Sequence, residues 1–304
     1  MKRHIVFLIV LSHGVSCFAQ QSPHYTQYIF NNYLLNPAVG GSKGYIDTKI
    51  GYRTQWIGFE AAPQTMFLSI NAPLKNRKKL QTENHEGIGG YIIHDQTGPF
   101  SKMGAYLSYS YHVKITRKLK VSLGFSGGVL QYKIDGEAMM VPKPDDPAVQ
   151  SVNTFTPDAS AGLWLYSDNY FTGISVHQIL PMKLIGTNNK LNNHYFVTAG
   201  YRIKTKRGSI IPSAHVKLAI LYPVSVDINL KYDWMNKFWV GISYRKTDAI
   251  AGLVGFNIGN ILEIGYAYDF TLSQLKNYSS NTHEIIIGIR PFIGPKAVPC
   301  PAFM

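Results

Sequence analysis

The feature that most constrains this chain is a two-residue alternation of apolar and polar side chains that recurs from Tyr45 almost to the end. Its clearest instance sets Val224, Val226, Ile228, Leu230 and Tyr232 against Ser225, Asp227, Asn229 and Lys231. The first run does the same with Ile46, Thr48, Ile50 and Tyr52 against Asp47, Lys49, Gly51 and Arg53. Successive strand residues point to opposite faces, so each segment has one face suited to hydrocarbon and one suited to water. A lone strand of this kind leaves its amides unpaired, and a bilayer offers them no partner. Many copies must therefore close on themselves.

Fourteen such segments are readable, at 45–54, 64–74, 87–94, 102–113, 119–132, 158–166, 170–179, 194–203, 209–220, 224–232, 238–245, 250–259, 262–270 and 283–292. In the fourth, Met103, Ala105, Leu107, Tyr109 and Tyr111 face away from Gly104, Ser108, Ser110 and His112. An even count suits a bacterial single-chain barrel. No helical period competes, and after residue 19 no run of apolar residues is long enough for a spanning helix. The 20 Tyr, 15 Phe and 4 Trp with only 15% charged residues fit a transmembrane barrel better than a solvated domain of this size, with a globular sandwich as the alternative. The expected fold is all-β, a transmembrane antiparallel up-and-down β-barrel of about fourteen strands with an N-terminal periplasmic or lumenal segment.

Connection lengths give an orientation. If the chain enters from the periplasm, odd-numbered connections face outward, and these include 133–157, 181–193 and 271–282; the even ones include the short 167–169, 233–237 and the corner at Asn260, with 75–86 the long exception. Charge follows the same parity. Lys75, Arg77, Lys78 and Lys79, then Lys114, Arg117 and Lys118, then Lys204, Lys206 and Arg207 all fall on the even side. This basic rim is expected to dock an acidic partner, since concentrated like charge steers association; the alternative is that turns are charged because they are wet.

Residues 1–19 read as a secretory signal peptide, with Lys2 and Arg3 before an apolar run and Ala19 at its end; a lipoprotein acylated at Cys17 is the alternative. The expected organisation continues with an N-terminal segment at 20–44 packing on or in the barrel, the barrel at 45–292 and a tail at 293–304. Beyond the leader the formal charge is +11 and Cys300 is the single cysteine, so no intrachain disulfide is available and Cys300 receives no role. The lead segment is aromatic and rich in amides, with Tyr25, Tyr28, Phe30 and Tyr33 as expected anchors and turns at Asn36-Pro37 and Gly40-Gly41. It is read either as a partner contact or as a strap that blocks the periplasmic mouth.

Chemistry of other kinds finds little support. His94 and Asp95 are neighbours in sequence, so in a strand they point apart and cannot act as an acid-base couple; Asp95 is placed in a turn with Gln96-Thr97-Gly98-Pro99. Asp145 and Asp146, in the proline-rich 133–157 loop, are too few oxygens for calcium. No nucleotide, HExxH or CxxC motif is present, so no cofactor is expected. The positive charge lies in turns rather than in an aromatic-lined groove, which argues against nucleic acid. A general diffusion porin or small-solute channel is the serious rival. Small inward residues (Gly104, Ser108, Ser110, Ser122, Gly124, Ser126) leave a wide lumen that either water or the lead segment fills.

Several motifs also carry a family likeness: Thr26-Gln27-Tyr28-Ile29-Phe30-Asn31, Leu34-Leu35-Asn36-Pro37-Ala38, Gly41-Ser42, then Arg53, Gln55-Trp56, Gly58, Ala62-Pro63 and Thr65. With Gly87-Ile88-Gly89, Asp95, Gly98-Pro99 and His283-Glu284-Ile285, this resembles the PorP/SprF family over nearly the whole mature chain. Thr26 stands where that pattern has Ser, which keeps the hydroxyl. The resemblance implies a non-enzymatic outer-membrane component of the type IX secretion and gliding machinery. The partners it implies are a secreted cargo with an adhesin-like C-terminal domain, and periplasmic ring lipoproteins or a peptidoglycan-binding protein.

Overall fold

The computed structural model describes residues 26–74, 83–116, 118–136, 151–180, 193–219, 223–246, 248–259, 261–272 and 281–291. The expected signal peptide at 1–19, Tyr25, Lys75, Arg77, Lys78, Lys79, Arg117, Asp145, Asp146 and the expected tail with Cys300 lie outside these residues. A four-residue helix α1 (Asn32–Leu35) and a 3-10 turn (Pro37–Val39) precede the strands β1 (Asp47–Thr54), β2 (Gln64–Pro73), β3 (His85–Thr97), β4 (Phe100–Lys114) and β5 (Lys120–Ile134). Then come β6 (Val152–Tyr166), β7 (Tyr170–His177), β8 (His194–Tyr201), β9 (Ile203–Thr205) and β10 (Gly208–Ala219). The last five are β11 (Ser225–Trp234), β12 (Phe238–Arg245), β13 (Ala249–Ile258), β14 (Leu262–Thr271) and β15 (Thr282–Ile289).

Neighbours in sequence are antiparallel neighbours in space, and β15 returns to β1, with Thr48 opposite Ile289 and Thr54 opposite His283. The sheet is thus a closed barrel without a free edge, which is how the backbone groups of two-faced strands are all paired. Both β8 and β9 pair with β10, so they form one stave interrupted at Arg202, and the fifteen strands make fourteen staves. One end, here the lower rim, carries the turns 167–169 and 235–237 and the β4 and β5 ends at Lys114 and Lys120; the upper rim carries 55–63, the β5 and β6 ends at Ile134 and Val152, the β7 and β8 ends at His177 and His194, and the β14 and β15 ends at Thr271 and Thr282.

The alternation read from sequence sorts as expected. Ile50, Leu68, Leu107, Ile174, Ile228 and Ile242 point outward and exposed, while Lys49, Ser69, Ser108, Ser175, Asp227 and Ser243 point inward and are buried. Three expectations need correction. Asp95 sits in β3 rather than in a turn, because the ladder with β4 continues to Thr97 opposite Phe100 around a tight Gly98-Pro99 corner. The 133–157 connection is shorter than expected, since β5 and β6 pair up to Ile134 opposite Val152. Pro157 is tolerated in β6 for a geometric reason. Its ring nitrogen points to the same side as Ala159, whose carbonyl accepts from Ile179, and the β6–β7 ladder itself begins only at Ala161, so the missing N–H costs no ladder bond. Lys204, placed in a turn from sequence, belongs to β9 opposite Ser209.

Candidate functional site

The lumen is occupied by the chain's own lead segment. Residues 26–43 are buried, entering beside the upper ends of β1, β12, β14 and β15 and descending to the lower rim before turning into β1. At the upper end Thr26 is the centre of a charged cluster. Its hydroxyl donates to Asp269 Oδ2 at 2.7 Å and accepts from Arg53 at 2.6 Å and Arg245 at 3.2 Å, which uses its one donor and both lone pairs. The backbone N–H groups of Thr26 and Gln27 donate to the two oxygens of Glu284 at 2.9 and 3.1 Å. Arg53 pairs with Asp269 and Glu284, both at 2.9 Å, and Arg245 with Asp227 at 3.2 Å. Inside a barrel such charges persist because each is paired and hydrogen-bonded.

Below this latch the aromatic residues meet the wall. Tyr28 shares a hydrogen bond with Ser213 at 3.1 Å and stacks on His215, and Tyr33 shares one with Ser108 at 2.5 Å. Lys49 donates to the Phe30 carbonyl and lies 4.2 Å from its ring centroid. Toward the lower end Asn36 ties the segment to the wall: its amide donates to the Leu163 and Ile174 carbonyls at 3.0 and 3.2 Å, and its side-chain oxygen accepts from Ala38 N–H at 2.9 Å to start the 3-10 turn, with Pro37 in its first position. Ser122 donates to the Ala38 carbonyl at 2.6 Å, and Ser110 and His112 reach Gly40 O at 2.6 and 2.7 Å.

The small wall residues now have a use. A Cβ on Gly124 would collide with the Ala38 backbone, and one on Gly162 with the Asn36 side chain. The segment therefore lies against the wall at backbone contact, which only glycine permits.

Of the residues singled out from sequence, Tyr28, Phe30, Tyr33 and Asn36 come together inside the barrel and spend their polar groups on its wall. Contact with another protein through them requires the segment to leave the lumen. Lys118, Lys204, Lys206 and Arg207 are exposed at the lower rim, with Arg207 6.0 Å from the Trp234 ring. The latch of Arg53, Arg245, Asp269 and Glu284 was not foreseen; inward charge on the strands was visible in sequence, but pairing across more than 200 residues was not. His94 and Asp95 bond to Ser101 and Thr65 respectively, at 3.1 and 2.7 Å, and not to each other.

A closed antiparallel barrel with an apolar exterior and a polar, self-filled interior is an outer-membrane β-barrel. Its fold is similar to that of the Ralstonia pickettii toluene transporter TbuX (12% identity, TM-score 0.50, covering 86% of this chain and 93% of that one). It is likewise similar to a Pseudomonas aeruginosa FadL homologue (9% identity, TM-score 0.50, covering 88% and 95%). At these identities the likeness concerns the fold alone. Among curated proteins none is a significant match. The family model for the type IX secretion system membrane protein PorP/SprF matches residues 17–289, and the chain belongs to that family.

Proposed function

We propose that this protein serves type IX secretion as a non-enzymatic, plugged scaffold of the outer membrane that handles a particular exported cargo. The observation that carries this reading is the lead segment, held in the lumen from Thr26 to Gly40 by bonds to β1, β2, β4, β5, β6, β7, β10, β12, β14 and β15. A diffusion porin needs an open path, and this segment stands in it. In the orientation that puts short turns in the periplasm, the upper rim faces the cell exterior and meets the cargo, an adhesin-like C-terminal domain. The lower rim, with Lys118, Lys204, Lys206 and Arg207 exposed, docks an acidic face of a periplasmic ring lipoprotein or a peptidoglycan-binding protein.

Affinity purification from native membranes tests it. Recovery of a secreted C-terminal domain or a ring protein is expected, and recovery should fall when Lys118, Lys204, Lys206 and Arg207 are reversed to Glu. Recovery of the barrel alone, together with solute flux at porin rates in liposomes, would replace this reading with the channel.

A further inference from the structure

Above α1 the lumen holds a cavity of about 100 Å³. Its floor is Leu34 and Leu35 of the lead segment, and Phe196 and Tyr106 supply aromatic wall. Every strand residue that lines it belongs to the upper half of its strand or the middle, so the cavity lies on the upper-rim side of the plug. This is about two-thirds of an engineered cavity that holds benzene, but it is only partly enclosed, so a ring or a short branched chain can seat in it without being fully buried.

One lining group does not suit a merely apolar void. Asp158 is 5% exposed; its carboxylate accepts from Tyr106 Oη and from the Ala159 N–H, both at 2.7 Å. No cation pairs with it among the described residues, whereas Asp47, Asp227, Asp269 and Glu284 each hold one at 2.9 to 3.2 Å. A buried carboxylate is costly without a counter-charge, and this one borders empty space that a cation could enter. Asp95 and Lys102, also on the lining, lie opposite each other across the β3–β4 ladder, and buried Lys217 of β10 is near enough to act on both, whereas no charged side chain among the described residues acts comparably on Asp158.

We propose that this cavity binds a small organic cation: an ammonium group on Asp158, carried by a single ring or short branched chain that packs on Leu34, Leu35 and Phe196. A free amine and the amino end of an exported polypeptide present the same chemistry. The site stands apart from the secretion reading, because it needs only the folded barrel with its plug in place.

The test uses the purified full-length mature barrel in detergent micelles, with binding of benzylamine, toluene and benzoate followed by ligand-observed NMR. Benzylamine should saturate one site, with toluene and benzoate weaker by about tenfold or more, the contribution of a charge-assisted hydrogen bond. Asp158→Asn, which keeps an acceptor for Tyr106, should weaken benzylamine by about tenfold to a hundredfold and leave toluene unchanged. Binding of Phe-Gly-Gly but not its N-acetyl form would point to a polypeptide end as the natural source, and binding of benzylamine alone to a free amine. Equal affinity for benzylamine and toluene, or no effect of Asp158→Asn, would overturn the proposal; the ligand comparison on the unmodified barrel decides it even if the variant does not fold.

Discussion

The Thr26 hydroxyl donates to Asp269 Oδ2 at 2.7 Å, joining the start of the described chain to the end of β14 across 243 residues. Because the same oxygen accepts from Arg53 and Arg245, Thr26 is the point at which the lead segment is fastened to the wall. Thr26→Ser keeps that hydroxyl and should unfold within about 1 kcal/mol of the parent. Thr26→Val keeps the shape and leaves two guanidinium groups and a carboxylate short of a partner. A loss of about 3 kcal/mol or more is expected, since each bond to a charged group is worth about 1.5–3 kcal/mol. Urea unfolding in liposomes reads both.

Arg53 is buried and compensates two carboxylates, Asp269 and Glu284, at 2.9 Å each. Arg53→Met should therefore cost about 3–5 kcal/mol, the effect of stranding buried charge. The triple change Arg53→Met, Asp269→Asn, Glu284→Gln should recover part of that loss. A single variant as stable as the parent in the same unfolding assay would show that the latch carries no weight.

The plug also predicts a difference between two glycines of one strand. Gly124→Ala drives a methyl into the Ala38 backbone, whereas the same methyl on Gly127 meets nothing within 4 Å. Overpacking costs about 1–3 kcal/mol, so Gly124→Ala should lower the temperature at which the barrel loses its fast-migrating folded band on gels, with Gly127→Ala close to the parent.

Leu107, midway along β4 and 77% exposed, marks the lipid-facing belt. Leu107→Arg should cost about 2–4 kcal/mol in folding into liposomes, the midplane penalty for a lipid-facing arginine. Lys118→Glu, on the lower rim, should fold like the parent.

The barrel was legible because each outward position answers to the same solvent. In β11 and β1 the period of two needs no knowledge of the neighbours, and all fourteen staves were found that way. Strand ends were less legible: Pro157 and Asp95 read as turn residues locally, yet each is carried in a ladder, Pro157 opposite Val129 of β5 and Asp95 opposite Lys102 of β4. The lumen was the least legible part. Small inward residues announced space, but Gly124 and Gly162 are fitted to Ala38 and Asn36, which lie 86 and 126 positions earlier. A plug has no period of its own; its partners are set by the closed wall, which exists only after folding.

The central claim is that the lead segment fills the barrel. Single-channel recording in planar bilayers tests it most directly, comparing the protein beginning at residue 20 with one beginning at residue 44. The longer protein should show no steady conductance and the shortened one a persistent open level. Equal conductance from both would contradict the account.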